Sequence, residues 1–142
     1  MSDVYAEDVN YWQTERTATS AEKWIDKTKS EINGAGGRVL NEAFGSMDGR
    51  AAYMLEFTFG ADRFRAVWPV LPSKTKNERA ARIQAATMLY HDVKAKCVSA
   101  KVHGPRAAFF QYAMLPDGRT AAQLAAPELV HLYPKMLTTG DT

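Results

Sequence analysis

The feature of the sequence that most constrains its fold is a stretch with helical periodicity between Thr75 and His103. Apolar residues recur there at alternating spacings of three and four, which places them on one helix face. This face comprises Ile83, Ala86, Leu89, Tyr90, Val93, Cys97 and Ala100. The Thr75/Glu78 spacing predicts a capping box at the start, and Gly104 followed by Pro105 predicts the end. A helix with such a face has to bury it against another element.

The residues before this helix predict a further helix and a small sheet. A second capping-box spacing, between Thr19 and Glu22, predicts a helix that ends at Gly34. Alternation of apolar and polar residues predicts three strands, over residues 38–44, 51–59 and 63–70. A three-stranded meander leaves one face to cover, so both helices should pack on the same side. The predicted fold class is α+β: an N-terminal helix, a three-stranded antiparallel meander, the long helix packed on one face of the sheet, and a short C-terminal helical segment.

Three parts are expected along the chain. Residues 1–18 form a polar, acidic N-terminal arm that also contains aromatic residues, namely Tyr5, Tyr11 and Trp12. Two interpretations of this arm stay open: it docks on the body or on a neighbouring subunit, or it is disordered. Residues 19–133 form a single α+β domain, and residues 134–142 form a C-terminal tail.

The region after the long helix is less clearly patterned. Residues 107–115 are strongly apolar and fit either a helix or a fourth strand. The Thr120/Gln123 spacing repeats the capping box and predicts a short helix, which Pro127 breaks or restarts.

The sequence carries no recognisable catalytic or metal-binding motif. His91, His103 and His131 have no companion at metal-ligand spacing, and the single cysteine, Cys97, lies on the predicted buried face. We therefore expect a binding protein rather than an enzyme, with no metal and no cofactor. No apolar run has the length of a membrane span and no signal peptide opens the chain, which predicts a cytoplasmic protein without membrane contact.

The strongest functional signal is an uneven distribution of charge. Residues 49–106 carry eleven bases and four acids, whereas residues 1–48 carry five bases and nine acids. Such asymmetry favours a surface that binds a polyanion. The candidate binding residues come from one strand-loop-helix unit: Arg63, Arg65, Lys74, Lys76, Arg79, Arg82, Lys94 and Lys96, with Trp68 as an aromatic neighbour. Cations along a strand of phosphates and a ring for base stacking are typical of proteins that bind single-stranded nucleic acid. The alternatives are that Trp68 belongs to the core and that Arg82 and Lys96 only line the helix edge.

Several segments together resemble a known family. They are the capped helix that ends at Gly34 and Ala35, the Asp48-Gly49 hairpin, the strand with Arg63 and Arg65 followed by Pro69 and Pro72, the helix containing residues 93–96, and the segment 114–120. This succession resembles a family of small uncharacterised proteins encoded in bacteriophage and prophage genomes. The order of three antiparallel strands and a long helix is also similar to the core of single-strand annealing proteins of recombination, by analogy of fold alone.

Two functions follow as hypotheses. The first is a phage-encoded protein that binds single-stranded DNA, for strand annealing or recombination, and that forms a homo-oligomer. The second is a phage-encoded protein-interaction factor that docks on a host protein and regulates or inhibits it without binding nucleic acid.

Overall fold

The computed structural model of the protein describes residues 4–47 and 49–128, and the predicted tail lies outside these residues. The helices are α1 (Ala21–Gly34), α2 (Glu78–His103), α3 (Pro105–Ala108) and α4 (Ala121–Glu128), and the strands are β1 (Arg38–Met47), β2 (Arg50–Phe59) and β3 (Asp62–Pro69). The strands form one antiparallel sheet in the order β1-β2-β3. The predicted α+β fold class is confirmed.

The core lies between one face of the sheet and the two long helices. Alternate residues of β2 point to this inner face and are buried: Tyr53, Leu55, Phe57 and Phe59. Helix α1 contributes Ile25 and Ile32, and α2 contributes most of its predicted stripe. Four phenylalanine rings form the centre, because all six pairs among Phe57, Phe59, Phe64 and Phe109 have centroids 5.2–6.2 Å apart. The opposite face, to which Glu56 of β2 points, is the outer face of the sheet.

The edge strand β1 contains an irregularity. Val39 pairs with Phe57 and Asn41 with Glu56, so Leu40 is an extra residue without a partner on β2. Such a β-bulge increases the local twist of the strand.

The apolar segment over residues 107–115 is neither a continuous helix nor a fourth strand. Gly104 has φ +89°, which ends α2, and the chain turns through α3 and a single 3-10 turn, Phe110–Tyr112. One isolated bridge, between Ala113 and Phe64, attaches the segment to the edge of β3. This path places the Phe109 ring in the core.

For two of the three predicted capping boxes, the residue predicted to cap the helix is wrong. Helix α1 is capped by Ser20, one residue after Thr19, and its Oγ accepts a hydrogen bond from the backbone N–H of Lys23. Helix α2 is capped by Asn77, whose Oδ1 accepts from the N–H of Ala80. Lys76 has φ +59°, so the chain cannot be helical from Thr75 onward.

The third predicted capping box is confirmed. The N–H of Thr120 donates to Gln123 Oε1 at 2.8 Å, and the N–H of Gln123 donates to Thr120 Oγ1 at 3.2 Å. This reciprocal pair starts α4. Its predicted continuation to residue 133 lies outside the described residues.

The described part of the N-terminal arm docks on the body of the protein. Gln84 of α2 is fully buried, and its Nε2 lies 2.7–3.1 Å from the backbone oxygens of Ala6, Val9 and Asn10. The Tyr11 ring stacks on His91, with centroids 4.7 Å apart. Helix α2 is therefore buried on a wider face than its periodicity predicted, since this segment covers a second side.

Candidate nucleic-acid interface

The structure divides the nine predicted binding residues into separate groups. Arg63 and Arg65 lie on β3, whereas Lys94 and Lys96 lie in the second half of α2. Between Arg82 and Lys94 the helix rises by about 18 Å. The remaining four bases are close to the start of α2, and they are Lys74, Lys76, Arg79 and Arg82. The predicted residues therefore do not form one continuous track.

Arg63 and Arg65 are bound to an acid on the outer face of the sheet. Arg65 lies opposite Glu56 in the β2–β3 register, and Glu56 is only 7% exposed. One oxygen of Glu56 lies 3.0 Å from Arg63 Nη2 and 3.8 Å from Arg65 Nη2. Arg65 also donates to the backbone oxygen of Gly118 at 3.3 Å. Part of the charge of this pair is thus neutralised within the protein.

The aromatic residue named from the sequence lies away from those arginines. Trp68 pairs with Tyr53 across the sheet, and it packs against the core on the inner face. Because Arg63 and Arg65 point to the outer face, Trp68 cannot interleave with them. In the second half of α2, Lys96 Nζ lies 2.7 Å from Asp92 Oδ1. Lys94 is exposed, with its Nζ above the Tyr90 ring.

The start of α2 borders a cavity of about 560 Å³, which we call the Arg82 recess. Its lining comes from the β1–β2 hairpin, the segment after β3 and the first turns of α2: Phe44, Ala51, Val70, Leu71, Pro72, Ser73, Lys76, Glu78, Ala81 and Arg82. A smaller cavity of about 290 Å³ adjoins it at Arg82 and includes Arg79. The lining is mostly apolar, and its charged residues are Lys76, Arg82 and the acid Glu78.

Arg82 occupies the centre of this arrangement. Its guanidinium lies 4.2 Å from the centroid of the Phe44 ring, and Phe44 is 42% exposed. This cation–π contact stabilises the guanidinium beside the ring without an anion. Across residues 4–47 and 49–128, no salt bridge involves Lys76, Arg79 or Arg82. Arg82 Nε is buried without a hydrogen-bond partner. Lys76 and Arg82 therefore line the recess, and Arg79 lines the adjoining cavity, without an ion pair among the described residues, and the acids Glu78 and Glu22 line these cavities with them.

Lys74, by contrast, is engaged by the N-terminal segment. Its Nζ lies 3.0 Å from Asp8 Oδ1, and its backbone N–H donates to Glu7 Oε1 at 2.9 Å. The other oxygen of Glu7 accepts from Ser73 Oγ at 2.7 Å, from Thr75 N–H at 3.3 Å and from Thr75 Oγ1 at 3.2 Å. Desolvation by itself would raise the pKa of Glu7, but these hydrogen bonds outweigh it and lower the pKa to about 2.

Comparisons with known proteins were made for the whole chain. No protein-family model matches it. Searches of curated proteins and of solved structures also find no match. The resemblance to phage-encoded proteins therefore stays a prediction, and the geometry alone supports the function proposed below.

The structure also bears on a metal site, a reactive thiol and a membrane span. Within residues 4–47 and 49–128, no group of three or more His, Cys, Asp or Glu is placed to hold a metal ion. Burial, with the nearby Glu31 carboxylate, raises the pKa of the Cys97 thiol to about 11, so this thiol stays protonated at neutral pH. Nor is any helix in that part of the chain both long and apolar enough to cross a bilayer.

Two important residues of this region were missed by sequence reasoning. Phe44 was assigned only to a strand, because its position beside Arg82 depends on the β1–β2 register and on how α2 packs. Glu7 was assigned only to an acidic arm, because its partners lie 66–68 residues further along the chain. No local pattern reports such contacts.

We expect Glu7 to be protonated, and to lose its hydrogen bonds to residues 73–75, only at a pH well below the ordinary titration range of a glutamate. Its pKa falls from 4.5 to about 2 in the folded protein, so the stability that it contributes is fully present above pH 4.5 and is lost as the pH falls through 2. The amide proton shifts of Lys74 and Thr75, followed by NMR between about pH 5 and pH 1, should show this low midpoint. The transition should be absent from Glu7→Gln. A midpoint at the ordinary carboxylate value would contradict the geometry.

Proposed function

We propose that the chain is a non-catalytic, phage-encoded protein that binds single-stranded DNA at the Arg82 recess. The observation that carries this proposal is the half-exposed Phe44 ring beneath the Arg82 guanidinium, with Lys76 in the same recess and Arg79 in the adjoining cavity; among residues 4–47 and 49–128, none of these three bases has a salt bridge. The proposal keeps the function predicted from the sequence but confines the principal contacts to one end of the basic region.

The chemistry of the recess suits a flexible single strand. The cations attract phosphates, and the part of the Phe44 ring that Arg82 and Tyr53 leave exposed can contact a base. Base–aromatic stacking is worth about 1–3 kcal/mol. The apolar lining, which includes Leu71 and Pro72, accepts a base that has left its stack. A planar guanidinium can bind a phosphate through two hydrogen bonds while it stacks on an aromatic face. Such contacts are tolerant of sequence and sensitive to salt.

Fluorescence anisotropy with a labelled oligothymidylate over a range of salt concentrations tests the proposal. The double substitution Lys76→Ala/Arg79→Ala should weaken binding about tenfold at low salt and reduce the salt slope by about 1.4, since each lost phosphate contact removes about 0.7. Phe44→Ala should weaken binding at least about fivefold and leave the slope unchanged, because it removes stacking and no charge.

A matched control removes the same charge elsewhere on α2. Lys94 and Lys101 are both exposed and lie further along the helix, so Lys94→Ala/Lys101→Ala should change affinity by less than about twofold. If this control weakens binding as much as Lys76→Ala/Arg79→Ala, the DNA follows the longer track and the recess is not the site. Absence of binding by the unmodified protein at low salt would overturn the proposal.

A second candidate function is the protein-interaction factor. It is favoured by Val98 and Val102, which lie one helical turn apart on α2 and are 60% and 75% exposed. A phage-encoded factor would use this pair to dock on a host protein, or a second copy of the chain would cover it in a homo-oligomer. Light scattering measures the solution mass of the protein and of Val98→Glu/Val102→Glu. If a second copy covers the pair, the mass exceeds that of one chain and the double substitution lowers it; if a host protein covers it, both proteins have the mass of one chain.

A further inference from the structure

The loop over residues 73–75 surrounds a carboxylate as a phosphate-binding loop surrounds an anion. Two backbone amides and two hydroxyl groups converge on Glu7, which comes from a distant part of the chain. The ammonium group of Lys74 adds a positive charge at the same place and holds Asp8. These five donors would suit the oxygens of a phosphate group equally well, because amides, hydroxyls and an ammonium are the usual phosphate partners in proteins.

This loop is continuous with the Arg82 recess. Ser73 and Lys76 both line the recess, and Lys74 and Thr75 lie between them in the chain. A single strand that places a base near Phe44 would therefore have a neighbouring phosphate within reach of the loop. In the structure that position is held by the carboxylates of Glu7 and Asp8.

We propose that residues 73–75 form a phosphate-binding loop that Glu7 and Asp8 occupy in the unbound protein. The N-terminal segment then competes with a DNA phosphate for the same donors. The competition with DNA rests on the function proposed above, whereas affinity of the loop for phosphate does not.

A phosphate can replace the carboxylates of Glu7 and Asp8 in the loop without opening the core. The contacts of Glu7 with Lys74 and Thr75 are solvent-exposed, as is the Lys74–Asp8 pair, and the hydrogen bond from Ser73 to Glu7 is partly buried. The rest of the segment is held independently, by Gln84 and by the stacking of Tyr11 on His91. The two carboxylates can therefore leave the loop while residues 9–11 stay on α2.

The principal experiment compares the full chain with Glu7→Gln/Asp8→Asn, which removes both charges and keeps the size of the side chains. We expect oligothymidylate to bind about five- to tenfold more tightly to this variant, with a salt slope larger by about 0.7 because one phosphate contact is gained. A charge-matched control, Glu15→Gln/Asp117→Asn, removes two exposed acids that line neither the recess nor the cavities that share Arg82 with it. Equal tightening in both variants would show a general charge effect and would overturn the proposed competition.

A second measurement is independent of DNA. In Glu7→Gln/Asp8→Asn, inorganic phosphate should shift the amide resonances of Lys74 and Thr75 in a saturable way, whereas in the unmodified protein these resonances should respond weakly. Thermal unfolding of both proteins establishes that the variant is folded. A phosphate response without DNA binding would support the loop and refute the proposed function. DNA binding without any phosphate response in the variant would refute the loop and leave the proposed function standing.

Discussion

Replacement of Phe109 by alanine is expected to lower the free energy of unfolding by about 3–5 kcal/mol. The side chain is fully buried, and its ring contacts all three other rings of the phenylalanine cluster at centroid distances of 5.2–5.7 Å. Removing it leaves a cavity where the segment after α2 closes over the sheet. The surrounding rings are themselves packed against each other, so the cavity cannot collapse fully. Urea denaturation followed by circular dichroism measures the loss.

The adjacent residue supplies the control. Phe110 is 63% exposed, so Phe110→Ala should change the free energy of unfolding by less than about 0.5 kcal/mol. Similar effects of the two substitutions would mean that the segment does not dock as described. The pair tests the placement of the region that the sequence left ambiguous between helix and strand.

A methyl group added at Gly37 is expected to destabilise the protein by about 1–3 kcal/mol. A Cβ atom there would lie 2.7 Å from Cζ of Phe59 and 2.8 Å from Cγ2 of Ile32. Both neighbours are buried in the core, so neither can move without disturbing the contacts of α1 with the sheet. Gly37 is not in the left-handed region, and the expected effect of Gly37→Ala is therefore steric.

The matched substitution is Gly34→Ala, three residues earlier. A Cβ at Gly34 meets no atom within 4 Å, and the residue lies in the last turn of α1. Since alanine has a higher helix propensity than glycine, we expect this change to be neutral or to stabilise the protein by up to about 1 kcal/mol. Melting temperatures that shift in opposite directions would support the packing at the α1–β1 corner. A loss of stability at position 34 that equals the loss at position 37 would contradict it.

The fold class could be predicted from the sequence because the spacing of apolar residues shows which face of a strand or helix is buried. The alternation of Tyr53, Leu55, Phe57 and Phe59 gave the inner face of β2, and the three-four spacing gave the buried stripe of α2. Helix starts were less accurate. Thr75 and Thr19 have the right chemistry for a cap, but α2 and α1 begin one or two residues later, where Asn77 and Ser20 accept the capping hydrogen bonds.

The candidate site was only partly predictable, for a different physical reason. Lys76, Arg79 and Arg82 are close in sequence, so their proximity followed from the expected helix. Whether a base is free or paired depends instead on contacts between distant segments. Glu56 binds Arg63 across the sheet, and Asp8 binds Lys74 from the other end of the chain. A charge count along the sequence treats all of these bases alike.

The bulge at Leu40 bears on how copies of this protein can associate. A straight edge strand offers unpaired backbone groups to a neighbouring chain, and sheets can extend from one molecule to the next by that route. The extra residue interrupts the spacing of those groups on β1. Growth of the sheet from chain to chain along β1 is thereby discouraged.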